Sequence, residues 1–276
     1  MSFKIGVIVD SFKLPIKEGI KKAHELGATG IQLYAVDGFM HPDNLNSADR
    51  KSILSYIKSC DLQVSALCGD LGGGFMSSDS NKEKIILSKK IIDLALDLEC
   101  KVVTTHVGVI PSDFNSDQYK ILQLACEQLG EYADSVNSSF AIETGPEPSI
   151  VLKNFLDSLH SNGVKVNFDP ANLVMVIGEN PIEAVNNLGK YIVHTHAKDG
   201  VMLNKFDPKE LYITHSKKWD EAFIEMPLGQ GNVNFVSYLN ALKNVGYDGF
   251  LTIEREVGEN PENDIEKAIK FLGRLI

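Results

Sequence analysis

The chain has 276 residues, of which 43% are hydrophobic and 23% are charged, so its composition is globular and excludes a disordered chain. This length is normal for an α/β barrel. The formal net charge of -10 disfavours a protein that binds nucleic acid through the phosphate backbone, because such proteins present a basic face.

No stretch of the sequence reaches the length of a transmembrane helix. The apolar run at 4–9 is too short for a signal peptide and instead predicts a first strand. The four cysteines are scattered without a Cys-x-x-Cys pair, which is typical of buried thiols in a reducing compartment. We therefore expect a cytoplasmic protein with no membrane partner.

Strand and helix patterns alternate along the chain. Eight short apolar runs have the length and composition of strands: 4–9, 30–36, 62–68, 101–105, three runs that end near 143, 169 and 196, and 250–253. Helical patterns lie between and after them, at 16–26, 47–60, 81–99, 118–137, 150–160, 181–188, 235–245 and 265–275. A long connection, 200–232, follows the seventh strand.

This alternation predicts a parallel sheet, and eight units predict that the sheet closes into a (β/α)8 TIM barrel. We therefore expect one domain of this fold over residues 1–276. The alternative is an open, doubly wound sheet. It is disfavoured because residues 10–13 (Asp-Ser-Phe-Lys) lack the glycine fingerprint that such a sheet carries after its first strand.

Acidic and imidazole side chains follow the last four strands of the predicted barrel, in the order Glu143, Asp169, His196 and Glu254. In a barrel these strand ends converge on the face that carries the chemistry. Any one carboxylate could instead cap a helix, and a single histidine is more often structural. Three carboxylates that meet would repel one another, and a divalent cation removes that cost. Such ligands suit Mn²⁺ or Mg²⁺, with Co²⁺ and Zn²⁺ as alternatives.

Two loops on the same face have two interpretations each. The glycines at 72–74 could cradle a phosphate with backbone N–H groups, although such a run is more often a flexible connection. The connection 200–232 holds the one tryptophan, Trp219, which either lines the pocket or packs the loop down.

Four segments resemble the xylose isomerase-like barrel superfamily, and more narrowly its sugar phosphate isomerase/epimerase group. They are 143–145 (Glu-Thr-Gly), 167–172 (Asn-Phe-Asp-Pro-Ala-Asn), 194–199 (His-Thr-His-Ala-Lys-Asp) and 247–254 (Tyr-Asp-Gly-Phe-Leu-Thr-Ile-Glu). They occur in the family's order, and the eight units extend the resemblance over essentially the whole chain.

The resemblance implies one metal ion held by residues that match Glu143, Asp169, His196 and Glu254. It also implies that the two glutamates act as the catalytic acid/base pair, one removing a proton from a substrate carbon and the other returning it. His106 is expected to contact the substrate, with a structural role as its alternative. Further substrate-binding candidates are Asn172, His194 and Lys198.

The sequence departs from the epimerase pattern at two positions. Asn172 stands where the epimerases carry a histidine, and Ser149 stands where they carry a glutamate. Asn172 can still hydrogen-bond a substrate hydroxyl, but it cannot carry a proton. These departures count against epimerisation of a free ketose and leave the predicted metal site intact.

The sequence thus predicts a metal-dependent isomerase or epimerase of a small sugar, sugar phosphate or keto-polyol. The alternative is a dehydratase that uses the same site on a keto-polyol. A DNA-repair endonuclease would need additional metal ligands and a basic rim, and a noncatalytic sugar-binding barrel would leave four ligands without a role. We expect a carbohydrate partner, no nucleic acid, and a homodimer or homotetramer by analogy.

Overall fold

The computed structural model describes residues 3–214 and 219–276. Eight parallel strands form the barrel: β1 (Lys4–Ile8), β2 (Gly30–Tyr34), β3 (Gln63–Cys68), β4 (Val102–Thr105), β5 (Ser139–Glu143), β6 (Val164–Phe168), β7 (Ile192–Ala197) and β10 (Phe250–Ile253). They close in the order β1-β10-β7-β6-β5-β4-β3-β2. A two-stranded antiparallel sheet pairs β8 (Asp199–Met202) with β9 (Phe223–Met226). The predicted (β/α)8 TIM barrel is confirmed.

Helices surround the barrel and follow the strands. They are α1 (Ile16–Glu25), α2 (Ser47–Ser59), α3 (Ser78–Asp97), α4 (Asp117–Ser135), α5 (Ser149–Asp157), α6 (Pro170–Asn172), α7 (Pro181–Leu188), α8 (Pro208–Thr214), α9 (Trp219–Ala222), α10 (Phe235–Asn244) and α11 (Pro261–Leu272). In the described part of the chain, every helix is too short or too polar to span a bilayer.

The local sequence explains where these elements begin and how they pack. Helix α2 begins at a capping box in which Asn46 accepts the N–H of Asp49 and the Asp49 carboxylate accepts the N–H of Asn46. Helix α3 places Ile85, Ile92 and Ala95 on its buried side. The strands are buried on nearly every residue after their first, as expected for a parallel sheet that helices cover.

Polar side chains fill part of the barrel interior. His194 Nδ1 lies 2.8 Å from Asn167 Oδ1, and its Nε2 lies 2.8 Å from Thr252 Oγ1. The hydroxyls of Thr252 and Ser65 are 3.3 Å apart. Because β3 and β10 are not neighbours in the barrel, this last contact crosses the interior. The network fixes the layer that lies beneath the carboxyl-end face.

The connection predicted at 200–232 contains ordered elements that the sequence analysis did not predict, namely the β8–β9 pair and the helices α8 and α9. Residues 215–218 of this connection lie outside the described residues. A short helix and a π turn at Leu173–Ile177 also follow β6, before the predicted α7. The prediction treated both regions as loops because neither contains a long periodic pattern.

Asp199 fixes the base of this connection. Its Oδ1 accepts the backbone N–H groups of Gly200 and Val233, and its Oδ2 accepts those of Gly229 and Gly231, at 2.9 to 3.0 Å. Burial raises the pKa of Asp199, although these four N–H groups act in the opposite direction. One carboxylate therefore ties the start of the connection to its return.

Candidate metal centre and cavity

Four side chains converge at the carboxyl-end face of the barrel. Glu143 ends β5, Asp169 follows β6, His196 lies near the end of β7, and Glu254 follows β10. These four strands are consecutive in the barrel, so their ends are adjacent in space. The four side chains are buried, and one ligand atom from each lies within 4.8 Å of those of the others. The structure thus brings together the four predicted ligands in a group that could hold a metal ion.

Two atoms of this group have no hydrogen-bond partner among the described residues, Asp169 Oδ2 and His196 Nδ1. His196 Nδ1 lies 3.1 Å from Glu254 Oε2. It also lies 3.5 Å from Glu143 Oε1 and 3.6 Å from Asp169 Oδ2. A buried polar atom without a partner is costly, and a shared cation would satisfy both atoms. The donor set of three carboxylates and one imidazole therefore fits a divalent metal.

The electrostatics agree with this fit. Burial opposes a charge on His196, but the carboxylates of Glu143 and Glu254 outweigh it and raise the pKa of His196 well above its usual value. Burial likewise raises the pKa of Glu254, but the neighbouring Lys198 and His196 lower it to about 2. The site thus carries a strong negative potential that would attract a cation.

Neighbouring side chains orient the candidate ligands. Gln32 Oε1 lies 3.0 Å from His196 Nε2, and the Gln32 amide donates to Thr104 Oγ1 at 3.2 Å. In this orientation the amide oxygen of Gln32 faces the histidine. With Gln32 Oε1 as acceptor, His196 donates from Nε2, and Nδ1 is the ring nitrogen that faces the carboxylates and would bind a cation in place of its proton.

The carboxylate ligands are held in the same way. Asp169 Oδ1 accepts the N–H groups of Ala171 and Asn172 at 2.7 and 2.9 Å, which leaves Oδ2 facing the cluster. Glu143 accepts one side-chain N–H from Asn167 at 2.9 Å and one from Asn172 at 3.0 Å. Each ligand thus has a fixed orientation, as metal ligands in proteins require.

A cavity of about 590 Å³ opens above the candidate ligands, a size typical of sites for small molecules. Glu143, His196 and Glu254 line it together with the loops that follow β3 and β4. Lys209 and Trp219, from the connection after β8, also line it. Three of the four candidate metal ligands are therefore in contact with a space that a substrate can enter.

His106, predicted to contact the substrate, lines this cavity. Its Nδ1 lies 2.9 Å from Asp70 Oδ2, and its Nε2 lies 3.6 Å from Glu143 Oε1. Burial opposes a charge on His106, but Glu143, Asp70 and Glu254 outweigh it and raise its pKa to about 9. The ring is therefore held as a hydrogen-bond donor beside one of the candidate ligands.

Lys198 and Asn172, two other predicted substrate contacts, also line the cavity, but each is engaged by the protein. The Lys198 ammonium donates to Glu254 Oε2 at 3.2 Å and to the Glu256 carboxylate. The Asn172 amide donates to Glu143. In this arrangement both residues hold a predicted acid/base glutamate.

His194, the fourth predicted substrate contact, does not line the cavity. Both of its ring nitrogens are bonded within the barrel interior, and its ring packs edge-on against His196 at 5.7 Å between centroids. Burial lowers the pKa of His194 well below its usual value, so the ring is neutral. The structure thus places this residue beneath the site, where it supports His196, and we do not propose it as a substrate contact.

The two loops with open interpretations both reach the cavity. Residues 72–74 form part of its wall, and Trp219 lines it while the indole N–H donates to Leu211 O at 2.8 Å. Trp219 therefore lines the cavity and also holds its own loop in place, two roles that the sequence left as alternatives.

The sequence analysis missed three residues that bear on the site. Gln32 and Asp70 were not among the predicted site residues, although Asp70 follows a predicted strand as the metal-ligand candidates do. Glu225 of β9 accepts a bond from Arg255 Nη1 at 2.6 Å and lies 3.9 Å from Lys198 Nζ. No sequence signal marks Glu225, because its role depends on the pairing of β8 with β9.

Comparison with known proteins agrees with the fold. A family model described as a xylose isomerase-like TIM barrel matches residues 20–275. An uncharacterized protein of Methanocaldococcus jannaschii is 27% identical over 207 residues, which cover 71% of this chain and 64% of that protein. Inosose dehydratase of Lacticaseibacillus casei is 24% identical over 161 residues, 57% of this chain and 53% of the enzyme. The chain therefore matches less than two thirds of the length of either relative.

Solved structures align over almost the whole chain. A xylose isomerase domain protein from Planctomyces limnophilus aligns with a TM-score of 0.82 at 25% sequence identity. The alignment covers 99% of this chain and 96% of that protein's chain. A D-tagatose 3-epimerase-like protein has a TM-score of 0.75 at 20% identity, covers 99% and 98% of the two chains, and shows the fold alone. On the family match, this chain belongs to the xylose isomerase-like TIM barrel family.

Proposed function

We propose that this protein is a divalent-metal-dependent isomerase or epimerase that acts on a small sugar or keto-polyol by proton transfer at a carbon next to a carbonyl. The observation that carries the proposal is the convergence of four buried candidate ligands, three of which line the cavity, with Asp169 Oδ2 and His196 Nδ1 unpaired among the described residues. Mn²⁺ is the favoured ion because the ligands are mainly carboxylate oxygens.

The roles of the protein groups follow from their positions. A bound divalent cation would polarise the substrate carbonyl and stabilise the negative charge that develops when the neighbouring carbon loses a proton. Glu143 and Glu254 come from β5 and β10, which are separated by two strands, and both line the cavity. They would therefore approach a substrate from different sides, one as base and the other as acid.

Lys198 and Asn172 prepare these glutamates for that role. Burial raises the pKa of Glu254, but Lys198 and His196 lower it, so this carboxylate is ionised and can accept a proton. Asn172 donates to Glu143 and fixes its orientation. The loop at 72–74 and Trp219 line the cavity and would limit the access of water to a bound substrate.

Dehydration of a keto-polyol is the second candidate, because several inosose dehydratases match this chain, including the Lacticaseibacillus casei enzyme. Loss of the same proton would then be followed by loss of a hydroxyl group from the next carbon, with the proton supplied by an acid in the cavity. The family membership is common to both candidates and does not separate them.

One experiment distinguishes the two. The protein loaded with Mn²⁺ is incubated in D₂O with D-fructose, D-tagatose or inosose, and the products are analysed by NMR after removal of the metal, and by mass spectrometry. Deuterium at a carbon-bound position without loss of water supports the isomerase or epimerase, whereas a product lighter by one water supports the dehydratase. If the wild type, like Glu254→Gln, shows neither deuterium incorporation nor loss of water with any of these substrates, the proposal is contradicted.

A further inference from the structure

The glycine segment 72–74 has a fixed conformation that its sequence did not predict. All three residues adopt left-handed backbone angles, with φ of +69°, +65° and +59°, a region that favours glycine. Lys84 of α3 holds the segment, because its ammonium donates to the carbonyl oxygens of Gly72 and Gly74, both at 2.6 Å. The segment is therefore tied to a helix rather than left as an open connection.

The same segment packs closely against the loop that follows β4. A Cβ atom at Gly74 would lie 2.3 Å from the carbonyl oxygen of Val107, so only glycine fits there. The next residue, Phe75, donates its backbone N–H to the same oxygen at 3.0 Å. Val107 directly follows His106, so the glycine segment is docked on the stretch of chain that carries this cavity-lining histidine.

Asp70 joins the two loops through its carboxylate. Oδ1 accepts the backbone N–H of Gly72 at 2.9 Å, and Oδ2 lies 2.9 Å from His106 Nδ1. With Nδ1 bonded to Asp70, the opposite nitrogen of the ring, Nε2, is directed at the cavity and lies 3.6 Å from Glu143 Oε1. Each oxygen of Asp70 thus has a separate partner, and together the two bonds determine how the His106 ring is oriented.

We propose that Asp70 is a positioning residue that directs Nε2 of His106 at a substrate oxygen, and that the glycine segment with Lys84 is the scaffold that holds Asp70. Nε2 of His106 would form a hydrogen bond with a hydroxyl group of a substrate bound beside Glu143. The catalytic consequence of this arrangement rests on the proposed function, whereas the arrangement itself does not.

The contacts of the glycine segment argue against phosphate binding as its role. A phosphate cradle offers backbone N–H groups and positive charge. Here the N–H of Gly72 is taken by Asp70, the Lys84 ammonium is taken by two carbonyl oxygens, and the Asp70 carboxylate adds negative charge. The segment therefore serves to orient a side chain and not to bind an anion.

The change Asp70→Asn tests the proposal with almost no change in side-chain volume. The carboxylate accepts hydrogen bonds with both oxygens, whereas the amide has one acceptor and would point an NH₂ group at a second donor. The variant must therefore lose the bond to Gly72, or lose or reverse the bond that His106 Nδ1–H donates to residue 70; in the last two cases the Nδ1–H donor bond is gone. Asp113→Asn is a matched control, because Asp113 lies in the loop region after β4 and its carboxylate accepts the N–H of the nearby Asn115 rather than a bond from the cavity.

The first readout is NMR of the histidine ring protons in ¹⁵N-histidine-labelled, Mg²⁺-loaded protein, with the His106 signal assigned from its absence in His106→Gln. We expect a downfield, slowly exchanging Nδ1–H signal in the wild type and in Asp113→Asn, and its loss or upfield shift in Asp70→Asn. Lys84→Met keeps the apolar part of the side chain but removes the two bonds to the glycine segment, so it should also weaken the His106 signal. Lys84 is not among the residues that line the cavity. An unchanged His106 signal in both Asp70→Asn and Lys84→Met would overturn the proposal.

The second readout is a double-mutant cycle on turnover of whichever of D-fructose, D-tagatose or inosose proves to be a substrate. Asp70→Asn should lower kcat by ~10- to 100-fold with a much smaller change in KM and with unchanged metal content. In the His106→Gln background the same change should have almost no further effect, whereas additive losses would refute a role through His106. If no substrate turns over, the proposed function fails while the NMR result still decides the positioning role.

Discussion

Gln32→Leu should weaken metal binding although Gln32 is not a predicted ligand. Gln32 is buried in β2 and directs its Oε1 at His196 Nε2. Leucine has a similar volume and removes only the polar contacts. Asn167 Nδ2 lies 3.2 Å from the same nitrogen and would then be free to donate to it. The proton of the imidazole would move to Nδ1, the atom that must bind the cation.

The expected magnitude follows from the bonds that are lost. The hydrogen bond from His196 to Gln32 and the bond from Gln32 to Thr104 contribute about 0.5–1.5 kcal/mol each. Loss of a partner that orients a metal-bound histidine typically costs ~10- to 100-fold in metal affinity, or about 1.4–2.8 kcal/mol. We therefore expect the Kd for Mn²⁺ to rise by at least about tenfold, with the fold retained.

The assay is isothermal titration of metal-free protein with Mn²⁺ at constant pH. Ser65→Ala is the matched control, because Ser65 is a buried polar residue of the barrel interior that bonds to Ile31, Thr252 and His194 but not to His196. Its Kd should equal that of the wild type. A Gln32→Leu protein that binds Mn²⁺ as tightly as Ser65→Ala would refute the orientation that we assign to His196.

Two further predictions concern stability. Asp199→Asn should lower the free energy of unfolding by roughly 2–4 kcal/mol, because the amide can satisfy at most two of the four N–H groups that the carboxylate accepts; urea unfolding measures this, and a loss under about 0.5 kcal/mol would contradict it. Removal of metal with a chelator should lower the Tm, since a ligand at a hundred times its Kd contributes about 2.7 kcal/mol. Re-addition of Mn²⁺ should restore the Tm in the wild type but not in His196→Leu.

Much of the barrel could be predicted from the sequence because each unit carries its own local signal. The strand at Phe250–Ile253, for example, is a short apolar run that a tight turn precedes and Glu254 follows. The alternation of such runs with helical patterns determines a parallel, closed sheet. The four candidate ligands follow from the same logic, because each occupies the end of a strand.

The residues that the sequence did not indicate depend on contacts between distant segments. The partners Met202 and Phe223 of the β8–β9 pair are separated by a stretch with no hairpin signal. Asp70 and His106 come together because β3 and β4 are neighbours in the closed barrel. His194 matched the motif of a pocket residue. It lies two residues before His196 on the same face of β7, however, and therefore one layer lower in the barrel.

Metal content tests the central claim most directly. Elemental analysis is applied to protein purified without chelator, with the wild type compared to Glu254→Gln and to Glu256→Gln. The Glu256 carboxylate contacts Lys198 at the same cavity but is not a predicted ligand. We expect about one divalent ion per chain in the wild type and in Glu256→Gln, and much less in Glu254→Gln. Wild-type protein that takes up no metal even after loading with Mn²⁺ would contradict the account.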